Sequence, residues 1–190
     1  MKIDQWGLQD MSTFTKKEIK NTFLEMLEEM PLNQITVKAL VEKCGINRNS
    51  FYYHYQDIPA LIEEIVTEDA DEIISSYSTI ETMQTGLKAI LEFASHKRKA
   101  ILHIFNSVNR DIFERDLWKV CDYIVKQYLK PILSRGPLSE FDQEIIIKFY
   151  KCECFGYAID WLNNGMDDET WEQIDHFCEL HNKAFEQFLL

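Results

Sequence analysis

The chain has 190 residues, 46% of them hydrophobic, with six Gly, four Pro and a net charge of −12. That length and apolar content suit one domain, or a small module joined to a larger one, and exclude global disorder. The first residues lack the charged-then-apolar pattern of a secretory signal, and no apolar run approaches the ~18 residues that cross a bilayer, so a cytoplasmic protein with no membrane partner is expected.

Helical spacing runs almost throughout. Thr15 and Glu18 read as the capping box of a first helix, with Ile19, Phe23, Met26, Leu27 and Met30 as its apolar face and Pro31 as its stop. Thr36 caps a short second helix whose stripe is Val37, Leu40, Val41 and Cys44, and Gly45 ends it, as a residue tolerant of positive φ should. Asn47 caps a third short helix, Arg48 to about His54. Asp57 caps a fourth, with Pro59 in its first turn, running to about Tyr77. Further helices are predicted at about 81–95, 98–107, 111–133, 139–164 and 168–189, punctuated by Pro131, Gly136 with Pro137, and Gly165. No strand alternation, repeat or low-complexity segment occurs. The expected fold is all-α with about nine helices.

Charge is unevenly placed. Residues 1–55 hold seven Lys or Arg and seven Asp or Glu, so the whole net charge of −12 lies after Tyr55. This asymmetry argues for two functional parts, 1–56 and 57–190, with the helix 57–77 linking them. The five cysteines (Cys44, Cys121, Cys152, Cys154, Cys178) sit mostly in apolar helical patterns and read as reduced, buried thiols. Cys152 and Cys154 point to opposite sides of a helix. Cys178 and His181 share a face without further ligands at metal-site spacing, so no metal and no cofactor is expected.

The helices 36–44 and 47–54, joined through Cys44, Gly45 and Ile46, have the form of a helix-turn-helix. At 100° per residue, Phe51 and Tyr55 share one face of the third helix. Asn49 and Tyr53 oppose Phe51, Ser50 and Tyr52 lie on the flanks, and Arg48 reaches from the first turn. That outward set suits DNA: Arg pairs bidentately with guanine, Asn reads adenine, Ser serves either, and Tyr hydroxyls bond phosphate. Thr36, at a helix N-terminus, offers a hydroxyl and free N–H groups to another phosphate. The same pattern also describes a three-helix module whose polar surface helix carries tyrosines and binds nothing.

The stretch Ile35 to Leu61, ITVKALVEKCGINRNSFYYHYQDIPAL, resembles the DNA-binding domain of the TetR family of bacterial transcriptional regulators. Thr36, the aliphatics of the second helix, Cys44-Gly45-Ile46, Ser50-Phe51-Tyr52, Tyr55 and Leu61 match without a gap. Ala158 to Gly165, AIDWLNNG, is similar to the Trp-containing end of the family's eighth helix. The resemblance implies an N-terminal helix-turn-helix DNA-binding domain, a larger ligand-binding and dimerisation domain, and a homodimer on a palindromic operator. By position it places Arg48, Asn49, Ser50 and Tyr53 near bases, and Thr36, Tyr52 and His54 at or near the backbone. One position departs: Ile58 stands where the family usually has a phosphate-contacting Lys. One contact fewer lowers the salt slope by about one unit.

In the C-terminal part, Ile145, Phe149, Cys152, Gly156 and Ile159 follow one stripe, and Ile174, Phe177, Cys178, His181 and Phe185 follow another. The resemblance implies that this helix pair and its symmetry mate form a four-helix dimer interface; as a plain monomer it is an antiparallel pair within a core. The helices 81–133 correspond to the region that encloses the family's ligand pocket. His103, Phe105, Trp118 and Tyr123 are candidates to line it, together with Tyr150 or Trp161, and the alternative for each is a core aromatic with a satisfied polar tip. His96 to Ile101, HKRKAI, reads as the solvated start of a helix.

No Gly-rich phosphate loop, metalloprotease motif, nucleophile elbow or convincing carboxylate pair occurs, so no catalytic residue is assigned and an enzyme is not expected. The leading expectation is a repressor whose DNA affinity an unknown effector modulates. The alternative is an activator, or an interaction protein under a protein partner's control, with weakened or lost DNA binding.

Overall fold

The computed structural model describes residues 5–76 and 82–189, with side chains for 13–76, 82, 84–170 and 172–180. Among these residues every regular element is helical: α1 (Gln5–Glu29), α2 (Val37–Cys44), α3 (Arg48–His54), α4 (Ile58–Ser76), α5 (Met83–His96), α6 (Arg98–Phe105), α7 (Arg110–Leu133), α8 (Glu140–Asn163) and α9 (Glu169–Leu189), with a 3-10 turn at Leu32–Gln34. The expected starts and stops hold within a few residues from α2 onward. Thr36, Asn47, Thr82 and Ser139 each cap their helix by accepting a backbone N–H. Asp57 does the same for α4, accepting from the Ala60 N–H at 2.8 Å.

One boundary differs. The helix expected to begin at Thr15 begins at Gln5. A capping box favours a helix start but does not block a turn arriving from the N-terminal side. No proline stands in residues 5–14 to interrupt it.

The chain forms two compact units. The N-terminal unit comprises the chain up to Thr67 together with Lys99–Phe113, and the C-terminal unit comprises Glu68–Arg98 and the chain from Glu114. The N-terminal core draws Ile19, Phe23, Met26 and Leu27 from α1, Leu40 and Val41 from α2, and Phe51 and Tyr55 from α3. Leu61, Ile62, Ile65 and Val66 of α4 and Ala100 and Ile104 of α6 complete it. The α2–α3 turn closes on Gly45, at φ +73°, where the Gly45 and Ile46 N–H groups both donate to the Val41 carbonyl. This is the left-handed helix stop that the Gly supplies without Cβ strain.

In the C-terminal unit, Ala70 and Ile73 of α4 pack with Val120 and Ile124 of α7. Val125, Leu129 and Leu133 of α7 pack with Ile146, Ile147, Tyr150 and Cys154 of α8. The α8–α9 connection passes through two left-handed residues, Gly165 (φ +75°) and Met166 (φ +61°). Arg98 fixes it: Nε and Nη2 donate to the Gly165 carbonyl at 3.0 and 2.8 Å. The Arg of the HKRKAI patch thus does structural work beyond solvating a helix start, which sequence spacing alone could not place.

The end of α3 is tied to α4 by charge. Glu64 accepts from Tyr55 Oη at 3.0 Å and Lys20 Nζ at 3.1 Å, and pairs with Lys16 at 2.5 Å. Burial opposes the charged form, but the hydrogen bonds from Lys16, Lys20 and Tyr55 outweigh it and hold the Glu64 carboxyl below its ordinary value. A folded-state value below the unfolded one contributes stability that is present above the unfolded glutamate pKa, about 4.3, and lost as pH falls through the folded value. Glu64→Gln is therefore expected to lower stability at neutral pH by on the order of 1 kcal/mol, with the gap to the parent closing below about pH 4. Urea unfolding across that pH range measures it; a gap that is constant with pH would refute the ion-pair account.

Candidate nucleic-acid interface

Seven residues make too short a helix to persist in water, so α3 depends on what it buries. Phe51 is wholly enclosed and Tyr55 is buried at the C-terminal end of the helix, their ring centroids 5.8 Å apart. With that face fixed inward, the opposite face is fixed outward. Tyr53 is 77% exposed and Tyr52 55%. Arg48 and Asn49 are exposed, and Ser50 and His54 are half-buried on the flanks. The sequence-derived division of the helix is thus the division the structure has.

Several of these groups have hydrogen-bonding capacity in hand. Arg48 makes no ion pair with any described residue, whereas Lys16, Lys20 and Lys43 of the same unit are engaged with Glu64 and Glu29. Thr36 accepts from the Ala39 N–H at 3.2 Å, which leaves its hydroxyl proton to donate. The His54 ring stands edge-on to Tyr53 at 5.0 Å. Partial burial, then the nearby Lys16 charge, hold its imidazole below the ordinary value, so it favours hydrogen bonding over acting as a cation at neutral pH. Thr36, Arg48, Asn49, Tyr52 and Tyr53 are thus exposed residues of one compact unit, and Ser50 and His54 are half-buried there.

Ile58 explains itself in the structure. It is half-buried, opens α4 and packs against the N-terminal core. The position spends its side chain on an apolar contact, where a Lys would project to solvent.

His103 and Phe105 belong to the N-terminal unit, and Trp118, Tyr123, Tyr150 and Trp161 to the C-terminal unit. Phe105 is enclosed, with the Phe113 ring 6.0 Å away and the Arg110 guanidinium 4.0 Å from its ring centre. Trp161 is buried and donates its indole N–H to the Asp167 carbonyl at 3.0 Å, a satisfied core tryptophan. Trp118 stands edge-on to Phe155 at 5.0 Å under the Lys151 ammonium. Tyr123 packs against the α4–α7 core. Tyr150 lines a cavity of about 250 Å³, shared with Leu87, Cys154, Tyr157, Ile174 and Phe177. Burial raises the hydroxyl pKa of Tyr150, with the Glu153 charge second.

The candidate interface residues divide. Phe149, at 71% exposure, Cys152, Gly156 and Phe177 face solvent, and Ile159 is half-buried. Ile174 and Cys178 are enclosed in their own unit. Spacing alone grouped all of them because Ile174, Phe177 and Cys178 fall within about 120° of the helix, a span that includes both the inner face and its edge. The side chains of His181 and Phe185 lie outside the described residues. Ile145, one turn before Phe149, is exposed as the stripe predicts, and the exposed stripe extends further than expected, to Phe141 two turns before Phe149. Continuing the 3–4 spacing back from Phe149 reaches Phe141.

A TetR-type family model, described as a transcriptional regulator C-terminal region, matches residues 81–183, more than half of the chain. The chain is 24% identical over 199 residues to the uncharacterized HTH-type transcriptional regulator YxbF of Bacillus subtilis (strain 168). The match covers 92% of this chain and 49% of YxbF, so the chain spans about half the length of that relative. Among solved structures, the dihydroxyacetone kinase operon activator DhaS superposes with a TM-score of 0.71 over 90% of this chain and 97% of DhaS, at 18% identity, which shows a shared fold. Among the described residues no helix is long and apolar enough to cross a membrane.

The two faces of α3 are expected to separate in a stability assay. Phe51→Ala should cost about 3–5 kcal/mol, the range for an enclosed aromatic. Tyr53→Ala should change stability by less than about 0.5 kcal/mol. Chemical denaturation of both variants checks this, and comparable losses would show that Tyr53 is a packing residue.

Proposed function

Because this chain belongs to the TetR family of transcriptional regulators, we propose that it binds a palindromic operator in the cytoplasm as a homodimer, with α3 in the major groove. The exposed face of α3 carries this reading: Arg48, Asn49 and Tyr53 stand out from a helix whose other face is locked by Phe51 and Tyr55. Arg48, Asn49, Ser50 and Tyr53 read base edges, and Thr36, Tyr52 and His54 hold phosphates. The balance of charge in residues 1–55 removes the repulsion that the net −12 would otherwise impose at the contact. Ile58 leaves phosphate binding to the remaining groups. The domain division that goes with this is a reading head over 1–56 and a regulatory part over 57–190. Nothing in the reading requires catalysis.

The dimer forms through the exposed stripe of α8 (Phe141, Ile145, Phe149, Cys152, Gly156) and Phe177 of α9. These residues are apolar or small and open to solvent, and a two-fold pairing covers them on both copies at once. Gly156, where an added Cβ would meet nothing within 4 Å, leaves room for close approach of a partner helix. An effector bound in the C-terminal unit, for which the Tyr150 cavity is the candidate, shifts α4. The two reading heads then no longer match half-sites about one helical turn apart. The chain acts as a repressor released by that effector. An activator role is the second reading, favoured by the structural likeness to DhaS, which is named as an operon activator.

A titration against DNA from the upstream region of the protein's own gene tests the reading head. Arg48→Ala should weaken specific binding by about 1–3 kcal/mol and relax preference at one base pair. Unchanged affinity, or no preference over unrelated DNA at low salt, would remove α3 from recognition. Phe149→Glu tests the interface. Sedimentation should show monomer in place of dimer with the N-terminal unit still folded, and operator affinity should fall by more than about 100-fold as the bivalent contact is lost.

A further inference from the structure

The N-terminal unit carries a cleft of about 590 Å³ that the reading head does not use. Its walls come from that unit alone: the chain around the 3-10 turn (Leu32, Ile35), the first turn of α4 (Ile58, Pro59), and the end of α6 with the turn that follows (His103, Val108). The volume falls within the ~300–1,000 Å³ of sites that enclose small molecules.

The lining is unusual for this protein. The chain is 27% charged, yet no Lys, Arg, Asp or Glu lines the cleft. The polar groups present are side-chain amides, Asn33, Asn106 and Asn109, none of which hydrogen-bonds through its side chain to a described residue, with Ser107 bonded within its own turn. Nδ1 of His103 is enclosed with no hydrogen-bond partner. An enclosed N–H without an acceptor costs more than an enclosed lone pair, so the ring proton belongs on Nε2, at the opposite edge of the ring. Val108 is 95% exposed, a branched apolar side chain at the rim with nothing over it. A charged molecule entering such a lining would lose hydration and gain no counter-ion, whereas an uncharged one gains apolar contact and keeps its hydrogen bonds.

We propose that this cleft is a binding site for an uncharged small molecule with an apolar body and a carbonyl, amide or hydroxyl group. The body lies on Ile35, Ile58 and Pro59, and the polar group bonds to His103 and the asparagine amides. Ile35 immediately precedes the cap of α2 and Ile58 opens α4, so an occupant touches both ends of the segment that carries α2 and α3. The site is distinct from the Tyr150 cavity of the C-terminal unit and stands whether or not α3 reads an operator.

Benzamide is the probe, with benzoate and benzylammonium as charged counterparts on the same ring. Methyl NMR of the full chain, labelled at Ile, Leu and Val, reads the outcome. Millimolar benzamide should shift Ile35, Ile58, Leu102 and Val108 saturably, and the two charged compounds should bind at least about tenfold more weakly. Asn106→Arg and Val108→Arg, both at exposed positions, should each weaken benzamide by about tenfold while thermal melting stays unchanged. The absence of saturable shifts at these methyls, equal binding of the charged compounds, or indifference to both variants would overturn the proposal. Because DNA is absent from the assay, these results do not depend on operator binding.

Discussion

Everything exposed on α3 depends on the burial of Phe51 and Tyr55. A two-turn helix gains too little from its own hydrogen bonds to persist, and its amphipathic packing has to supply the difference. Phe51 is wholly enclosed among side chains of the N-terminal core, and Tyr55 adds a second buried ring one turn later with its hydroxyl on Glu64. Because a helix is rigid about its axis, fixing these two rings fixes the direction of every other side chain on it. Tyr52 and Tyr53 are exposed for the same reason that Phe51 is not. The bunching of four phenyl or phenol rings and an imidazole in five positions, Phe51 to Tyr55, is what a helix with one packed and one presented face contains.

The C-terminal unit uses the opposite device. α8 is apolar on more than one side. Ile146, Ile147, Tyr150 and Cys154 pack with α7, while Phe141, Ile145 and Phe149 remain open to solvent. A helix of this kind cannot satisfy both faces within one chain, and its surplus face is the natural ground for association. In the described part of α9, Ile174 and Cys178 are enclosed, while Phe177 and Leu180 are exposed.

Ile58 and His103 show how residues remote in sequence meet in the N-terminal unit. Ile58 after α3 is a wall of the cleft, and His103 lines the same cleft from α6. Arg98, two residues into the HKRKAI patch, likewise has its charge taken up by a carbonyl in the α8–α9 connection. In each case the side chain's partner is remote in sequence, so no local pattern announces it.

By itself the sequence determined the helices and the division of α3. Caps, glycine stops and 3–4 periodicity are local, because the forces behind them act over one or two turns: the unsatisfied N–H groups at a helix start, the positive φ at Gly45, the common face of residues four apart. The exception, the start of α1, fails for a local reason too, since a capping box permits an earlier start and no proline in residues 5–14 blocks it. Tertiary structure alone decided which periodic apolar residues are enclosed and which are left open. Trp161 and Phe105 became core, and Ile174 and Cys178 turned inward while Phe177 did not. Helical spacing says which residues share a face, but whether that face meets another helix, a cavity or water is set by contacts between segments far apart in the chain.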